Sequence, residues 1–155
     1  MLAFEKIQLE YVKQNIKYAE KHIYASDRWL SLEQENTCYL CNGAMLVTIP
    51  KALCFIDCNH QDAGHFGASL LDCIKKNETD AIPLADTRTE FTHENGDKIR
   101  VLKDTENDRD VWVKQKHFDY FAKLDCQYKY NPNSHMVYAY FADTMVGIMM
   151  QVKNW

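Results

Sequence analysis

Cys38, Cys41 and Gly43 stand in the run Cys38-Tyr39-Leu40-Cys41-Asn42-Gly43, and Cys54, Cys58, His60 and His65 follow within a short segment. No other stretch gathers so many soft metal ligands. Zinc takes four tetrahedral ligands from cysteine thiolate and histidine nitrogen, and a structural site leaves none of them open. A Cys-x-x-Cys pair supplies two of these from one tight turn, and a following glycine lets the backbone pass close to the ion. The expected set is Cys38, Cys41, Cys58 and His60, with Cys54 and His65 in reserve and Zn2+ as cofactor. A competing reading comes from strand geometry: if Thr37–Cys41 is a regular strand, Cys38 and Cys41 point to opposite faces and are ordinary buried residues. Cys73 and Cys126 lie on apolar stretches and read as core.

Other chemistries have weaker support. A redox Cys-x-x-Cys wants a helix N-terminus behind its first cysteine, whereas Asn42-Gly43 predicts a hairpin turn of type I′. The chain has no Gly-rich phosphate loop, no Gly-x-Ser-x-Gly and no His-Glu-x-x-His. Asp57, Asp62 and His65 could serve a hydrolytic metal, which keeps a small metallohydrolase as an alternative. The expectation is a non-catalytic protein.

The elements that must position these residues read as an α+β fold. Phe4, Ile7, Tyr11, Val12, Ile16, Ala19 and Ile23 recur at helical spacing and predict an amphipathic helix over residues 3–23. Its sharper reading is a partner-docking helix; its plainer one is a helix packed on a sheet. A meander follows, with strands over Arg28–Glu33, Thr37–Cys41, Ala44–Ile49 and Leu53–Asp57. In that meander Cys58 and His60 return beside Cys41, closing a zinc knuckle. A short helix over 66–76, a hairpin of Thr87–His93 with Lys98–Lys103, and a brief strand over Val111–Val113 come next. A helix over Gln115–Leu124 precedes three strands at Cys126–Tyr130, Met136–Ala142 and Met145–Lys153, which alternate with the period of two. The whole, residues 1–155, reads as a single α+β domain: an antiparallel sheet with two or three covering helices and a zinc knuckle at one edge.

Composition restricts the partners. The chain carries 18 Lys and Arg against 22 Asp and Glu, a net charge of −4. A sequence-independent nucleic-acid binder needs the opposite balance, so no direct nucleic acid is expected. The turn holding Asp104, Glu106, Asp108 and Asp110 is the candidate surface for a protein partner with a basic face. The apolar runs are too short for a membrane span. The first residues lack the pattern of a secretory signal. The expected location is therefore cytoplasmic, where clustered cysteines bind metal or are buried more often than they pair.

Three resemblances add to this. Cys38-Tyr39-Leu40-Cys41-Asn42-Gly43 is similar to the half-repeat of zinc knuckles such as those of DnaJ-type chaperones, which implies a metal-closed turn. Val111-Trp112-Val113, Phe118–Leu124, Asn131-Pro132 and Gly147-Ile148-Met149-Met150-Gln151-Val152 look like part of a sliding-clamp domain, which implies a DNA-replication accessory protein as an alternative. The chain is also short, rich in Lys and Asn and mildly acidic, with the stretch Asp104–Asp110. In this it resembles small phage accessory proteins of the anti-CRISPR type. That likeness implies a zinc-stabilised inhibitor that docks on a Cas9-type nuclease complex and blocks nucleic-acid loading, in the host cytoplasm.

Overall fold

The computed structural model describes residues 3–21, 30–56 and 72–154. The chain divides into two compact units, Met1–Ile74 and Lys75–Trp155. Among the described residues they hold nine strands, paired antiparallel within each unit, with helices between them. The α+β class and the antiparallel pairing agree with the sequence.

In the first unit, helix α1 (Ala3–Lys21) precedes a meander of β1 (Leu30–Gln34), β2 (Thr37–Cys41) and β3 (Met45–Pro50). Leu40, Val47 and Ile49 are fully buried, with Cys38 and Leu46 nearly so. The loop between β2 and β3 is held by Asn42, whose Oδ1 accepts the N–H of Ala44 at 2.9 Å and of Met45 at 2.7 Å. Only Gly43, at φ 85°, takes the left-handed region there. A type I′ turn needs positive φ at both central residues, so this loop is a side-chain-braced turn instead.

The strand expected over Leu53–Asp57 is absent where it can be seen, for Asp57 lies outside the described residues. Lys51–Leu53 is a turn of 3-10 helix, closed by the Cys54 N–H on the Lys51 carbonyl. The reason is Gln8, a fully buried residue of α1. Its Nε2 donates to the carbonyl of Leu53 at 3.0 Å, and its Oε1 accepts the Phe55 N–H at 2.7 Å. One amide side chain thus satisfies backbone groups that a ladder would otherwise have taken. Tyr11 adds a second tie to the meander through the Ser31 hydroxyl at 2.9 Å. The inward face of α1 is carried by Ile7 and Gln8, while Val12 and Ile16, expected inside, are exposed.

A second helix, α2, covers residues 72–78; the rest of the span expected for it, 66–71, lies outside the described residues. The second unit then lays β4 (Ile82–Thr92), β5 (Lys98–Asp104), β6 (Arg109–Lys114), α3 (Gln115–Ala122), β7 (Gln127–Asn131), β8 (Met136–Phe141) and β9 (Thr144–Met150). Their order across the sheet is β9-β8-β7-β4-β5-β6. α3 packs on β5 and β6 through His117, Phe118, Tyr120 and Phe121, one face of a helix. Ile99, Leu102, Val111, Val113, Phe121, Val137, Tyr138 and Met149 form its fully buried interior. The outer edge of β6 is partly covered, because the Val152 N–H donates to the Trp112 carbonyl at 2.7 Å.

β4 is the unusual element. It pairs with β7 over Ile82–Leu84 and with β5 over Ala85–Thr92. Between Asp86 and Thr89 the register shifts, and Arg88 sits at φ 59°. The bulge bends the strand away from β7, so the sheet forks there.

Candidate functional site

The expected zinc ligands are not brought together. β2 keeps its regular alternation, with Cys38 and Leu40 inward and Tyr39 and Cys41 on the opposite side. Residues three apart in a strand face opposite ways, so Cys38 and Cys41 cannot grip one ion. Burial also pushes the Cys41 thiol up, although the Gly43 N–H, 3.4 Å from its Sγ, opposes this. A thiol held protonated is a poor metal ligand. Cys54 lies elsewhere, its Sγ on the Ile56 carbonyl. Cys58, His60 and His65 lie outside the described residues. Among the described residues no group of three or more His, Cys, Asp and Glu side chains could hold a metal ion. The zinc knuckle and the Zn2+ cofactor are therefore corrected, and with them the zinc-stabilised inhibitor built on that site.

The acidic turn between β5 and β6 has a different use for its carboxylates. Asp104 is fully buried. Its Oδ1 accepts the N–H groups of Glu106 and Asn107, and its Oδ2 accepts the Asn107 side-chain amide at 2.9 Å. Arg109 stands 3.8 Å from the same oxygen. Asp108 and Asp110 both pair with Lys103, at 2.8 and 3.2 Å. The Lys103 ammonium holds the Asp108 carboxyl below its ordinary value. Only Glu106 shows no side-chain partner among the described residues.

The fork in the sheet opens a cleft of about 540 Å³, within the usual range of ligand sites. Leu84 and Asp86 form its β4 wall, Tyr128 and Lys129 of β7 with Cys126 just before them form the opposite wall, and Tyr140 and Asp143 close the end. Asp86 is tied to Arg100 by a two-pronged ion pair at 2.8 and 2.7 Å, and Arg100 holds its carboxyl below the usual range. Arg100 also lies 4.6 Å over the Phe118 ring, and Phe118 packs 5.3 Å from the Tyr128 ring. Burial pushes the Cys126 thiol up to about 11 and the Tyr128 phenol well above its ordinary value. The Tyr128 hydroxyl is buried and has no hydrogen-bond partner among the described residues. Lys129 places its ammonium 5.1 Å from the Tyr140 ring centroid, with no acidic partner among the described residues. No sequence pattern marks this cleft, since its residues belong to three separate strands, β4, β7 and β8, and the turns beside them. The local signal available was Pro83 inside a strand, which marks a ladder that is interrupted or at an edge.

α1 carries the other exposed feature. Leu9, Val12 and Ile16 follow one another at helical spacing and are 46%, 39% and 53% exposed. Leu53 and Phe55, 50% and 57% exposed, belong to the segment that Gln8 fastens to the same helix. Lys6 and Lys13 are exposed on α1 beside this stripe.

Compared with known proteins, the chain matches no family model, no curated protein and no solved structure. Among the described residues, no helix is long and apolar enough to cross a membrane.

Proposed function

We propose that this protein works by docking on another protein, without turnover, and that the exposed stripe of α1 is its docking face. The carrying observation is that Leu9, Val12 and Ile16 share one stripe while Leu53 and Phe55 are fastened alongside. Single exposed apolar residues are commonplace, whereas a run of them on one face marks an interaction surface. Lys6 and Lys13 run along one side of the stripe, so the matching occupant is an amphipathic helix whose apolar face carries Asp and Glu along that border. This differs from the basic partner surface that composition suggests; in the acidic turn Lys103 pairs with Asp108 and Asp110, and Arg109 stands 3.8 Å from Asp104.

Several features support binding over catalysis. The Cys41 and Cys126 thiols are pushed toward their protonated form, and His117 is pushed down to about 4. General acid–base chemistry wants groups poised near the working pH. The free thiols of Cys41, Cys54 and Cys126 support a reducing compartment such as the cytoplasm.

The test is fluorescence anisotropy with a synthetic amphipathic helix of Leu core and Glu flanks. The wild-type protein binds it, and Leu9→Glu and Ile16→Glu weaken binding by roughly tenfold or more while the thermal melt stays unchanged. Absence of binding, or equal binding by both variants, overturns the reading. So does a dimer in sedimentation that Ile16→Glu abolishes, since the occupant is then a second copy of the chain.

A further inference from the structure

We infer that the open edge of β4 beyond its bulge pairs with the same edge of a second copy of the chain, joining two molecules through an antiparallel strand pair. The inference is independent of the α1 docking face. β7 reaches β4 only at Ile82, Pro83 and Leu84. Over residues 89–92, β4 is paired on one side alone, with β5. The His93 N–H donates to the Asp97 carbonyl at 2.8 Å, which fixes the phase of that ladder. Bonded and non-bonded pairs alternate along it. Phe91 therefore turns its backbone groups toward Ile99, while Glu90 and Thr92 turn theirs to the open side. Among the described residues no hydrogen bond reaches them there. Residues 85–90 and Thr92 are exposed.

An unpaired edge is a template for another strand, and its side chains choose the register. Centred on Phe91, a two-fold pairing sets Glu90 of each copy opposite Thr92 of the other, so the free N–H and C=O groups satisfy one another. Centring on Glu90 sets Glu90 against Glu90, and centring on Thr92 sets Glu90 against Glu94. Like charges directly opposite destabilise a pair. Centring on Thr89 needs the Arg88 N–H, which already donates to the Asp86 carboxylate at 2.9 Å. The Phe91 register also puts Phe91 opposite Phe91 in the closer, non-bonded position. That extends the aromatic face on which the Phe91 and Trp112 ring centroids lie 4.9 Å apart. It carries the exposed Arg88 of each copy toward the exposed Glu94 of the other. Charge along the seam balances, Arg88 and Lys98 against Glu90 and Glu94, because Asp86 is paired with Arg100 and Asp97 with Lys114. The bulge ends the pairing on one side and the hairpin turn on the other. A contact of this kind closes on itself, so the product is a dimer and not a fibre.

The seam is short, so the dimer is weak and its population follows concentration. Sedimentation of the full chain from micromolar to millimolar concentration is expected to show a monomer–dimer equilibrium. Amide exchange at Glu90 and Thr92 is expected to slow as concentration rises. Thr92→Pro removes an outward N–H that β5 does not use, and is expected to abolish the dimer while the melt shows a folded protein. Arg88→Glu is expected to weaken the dimer roughly fivefold, and Glu94→Arg added to it to restore the dimer. If Thr92→Pro does not fold, this charge swap decides alone. A monomer at every concentration overturns the inference. So does a dimer that folded Thr92→Pro retains, a charge swap that restores nothing, or exchange at Glu90 and Thr92 that ignores concentration. A dimer that Ile16→Glu abolishes lies on α1 and overturns it too. Failure of the helical peptide to bind a protein that still dimerises through β4 overturns the α1 reading and leaves this one standing.

Discussion

Gln8 and Phe55, 47 residues apart, are joined by a hydrogen bond of 2.7 Å from the Phe55 N–H to the Gln8 Oε1. The same side chain donates to the Leu53 carbonyl and, within its own helix, to the Phe4 carbonyl at 2.9 Å. Gln8 therefore replaces a strand ladder with a clamp and sets Leu53 and Phe55 beside the exposed face of α1. Gln8→Leu keeps the volume and removes the acceptor and both donors. It is expected to destabilise the protein by about 1–3 kcal/mol, read as a lowered midpoint in urea unfolding. Binding to an acidic helical peptide should weaken as well, because the segment carrying Phe55 loses its anchor. Unchanged stability would mean that water satisfies those backbone groups equally well.

Asp104 makes a parallel case in the second unit. Its carboxylate is fully buried and accepts from Glu106, from the backbone of Asn107 and from the Asn107 side chain. Asp104→Ala strands these donors at the β5–β6 turn and is expected to cost about 2–3 kcal/mol. Glu106→Gln, on an exposed side chain of the same turn, is expected to fall within about 0.5 kcal/mol of wild type. Chemical denaturation of the two variants side by side separates a turn staple from a displayed charge.

The strand expected over Thr37–Cys41 is β2 to its end residues, and the hairpin expected from Thr87–His93 and Lys98–Lys103 is the β4–β5 pair. The helix expected over Gln115–Leu124 is α3 (Gln115–Ala122). These are local patterns, fixed by backbone periodicity. The Cys38–Cys41 pair was open to two readings, and β-strand geometry decided for the one without metal. Gln8, Asp104 and Tyr128 could not be placed from sequence. Their roles depend on partners reached through folding: Leu53 and Phe55 for Gln8, a closed turn for Asp104, and the bulge that moves β4 from β7 to β5 for Tyr128. The exposure of Val12 and Ile16 was equally hidden, since helical spacing shows that a face exists without showing what covers it.

Gly96 at the tip of the β4–β5 hairpin sits at φ 89°, and its N–H donates to the His93 carbonyl at 2.9 Å. A methyl group there would meet nothing within 4 Å, so any cost of a side chain is purely one of backbone conformation. Gly96→Ala is expected to cost about 1 kcal/mol, and Gly96→Asn less, because Asn tolerates the left-handed region. Thermal melts of both variants test this. Equal losses would show that the turn has moved to another geometry.

His117 gives the protein a pH dependence of definite sign. The ring is 4% exposed, and its Nδ1 has no hydrogen-bond partner among the described residues. Burial, reinforced by Lys116 and Lys114 and opposed by Asp97, pushes its pKa down to about 4. An unfolded histidine titrates near 6.5. Between those values the unfolded chain takes up a proton that the folded chain refuses, so stability falls as pH falls. The contribution is intact above about pH 6.5 and lost progressively toward pH 4, amounting to as much as about 3 kcal/mol. Below pH 4 both states are protonated at this site and its slope vanishes. His117→Phe, similar in shape and unable to titrate, is expected to flatten the stability profile between pH 6.5 and 4 relative to wild type. Urea unfolding across that range provides the measurement. A variant whose profile keeps the wild-type slope would locate the proton uptake at another group.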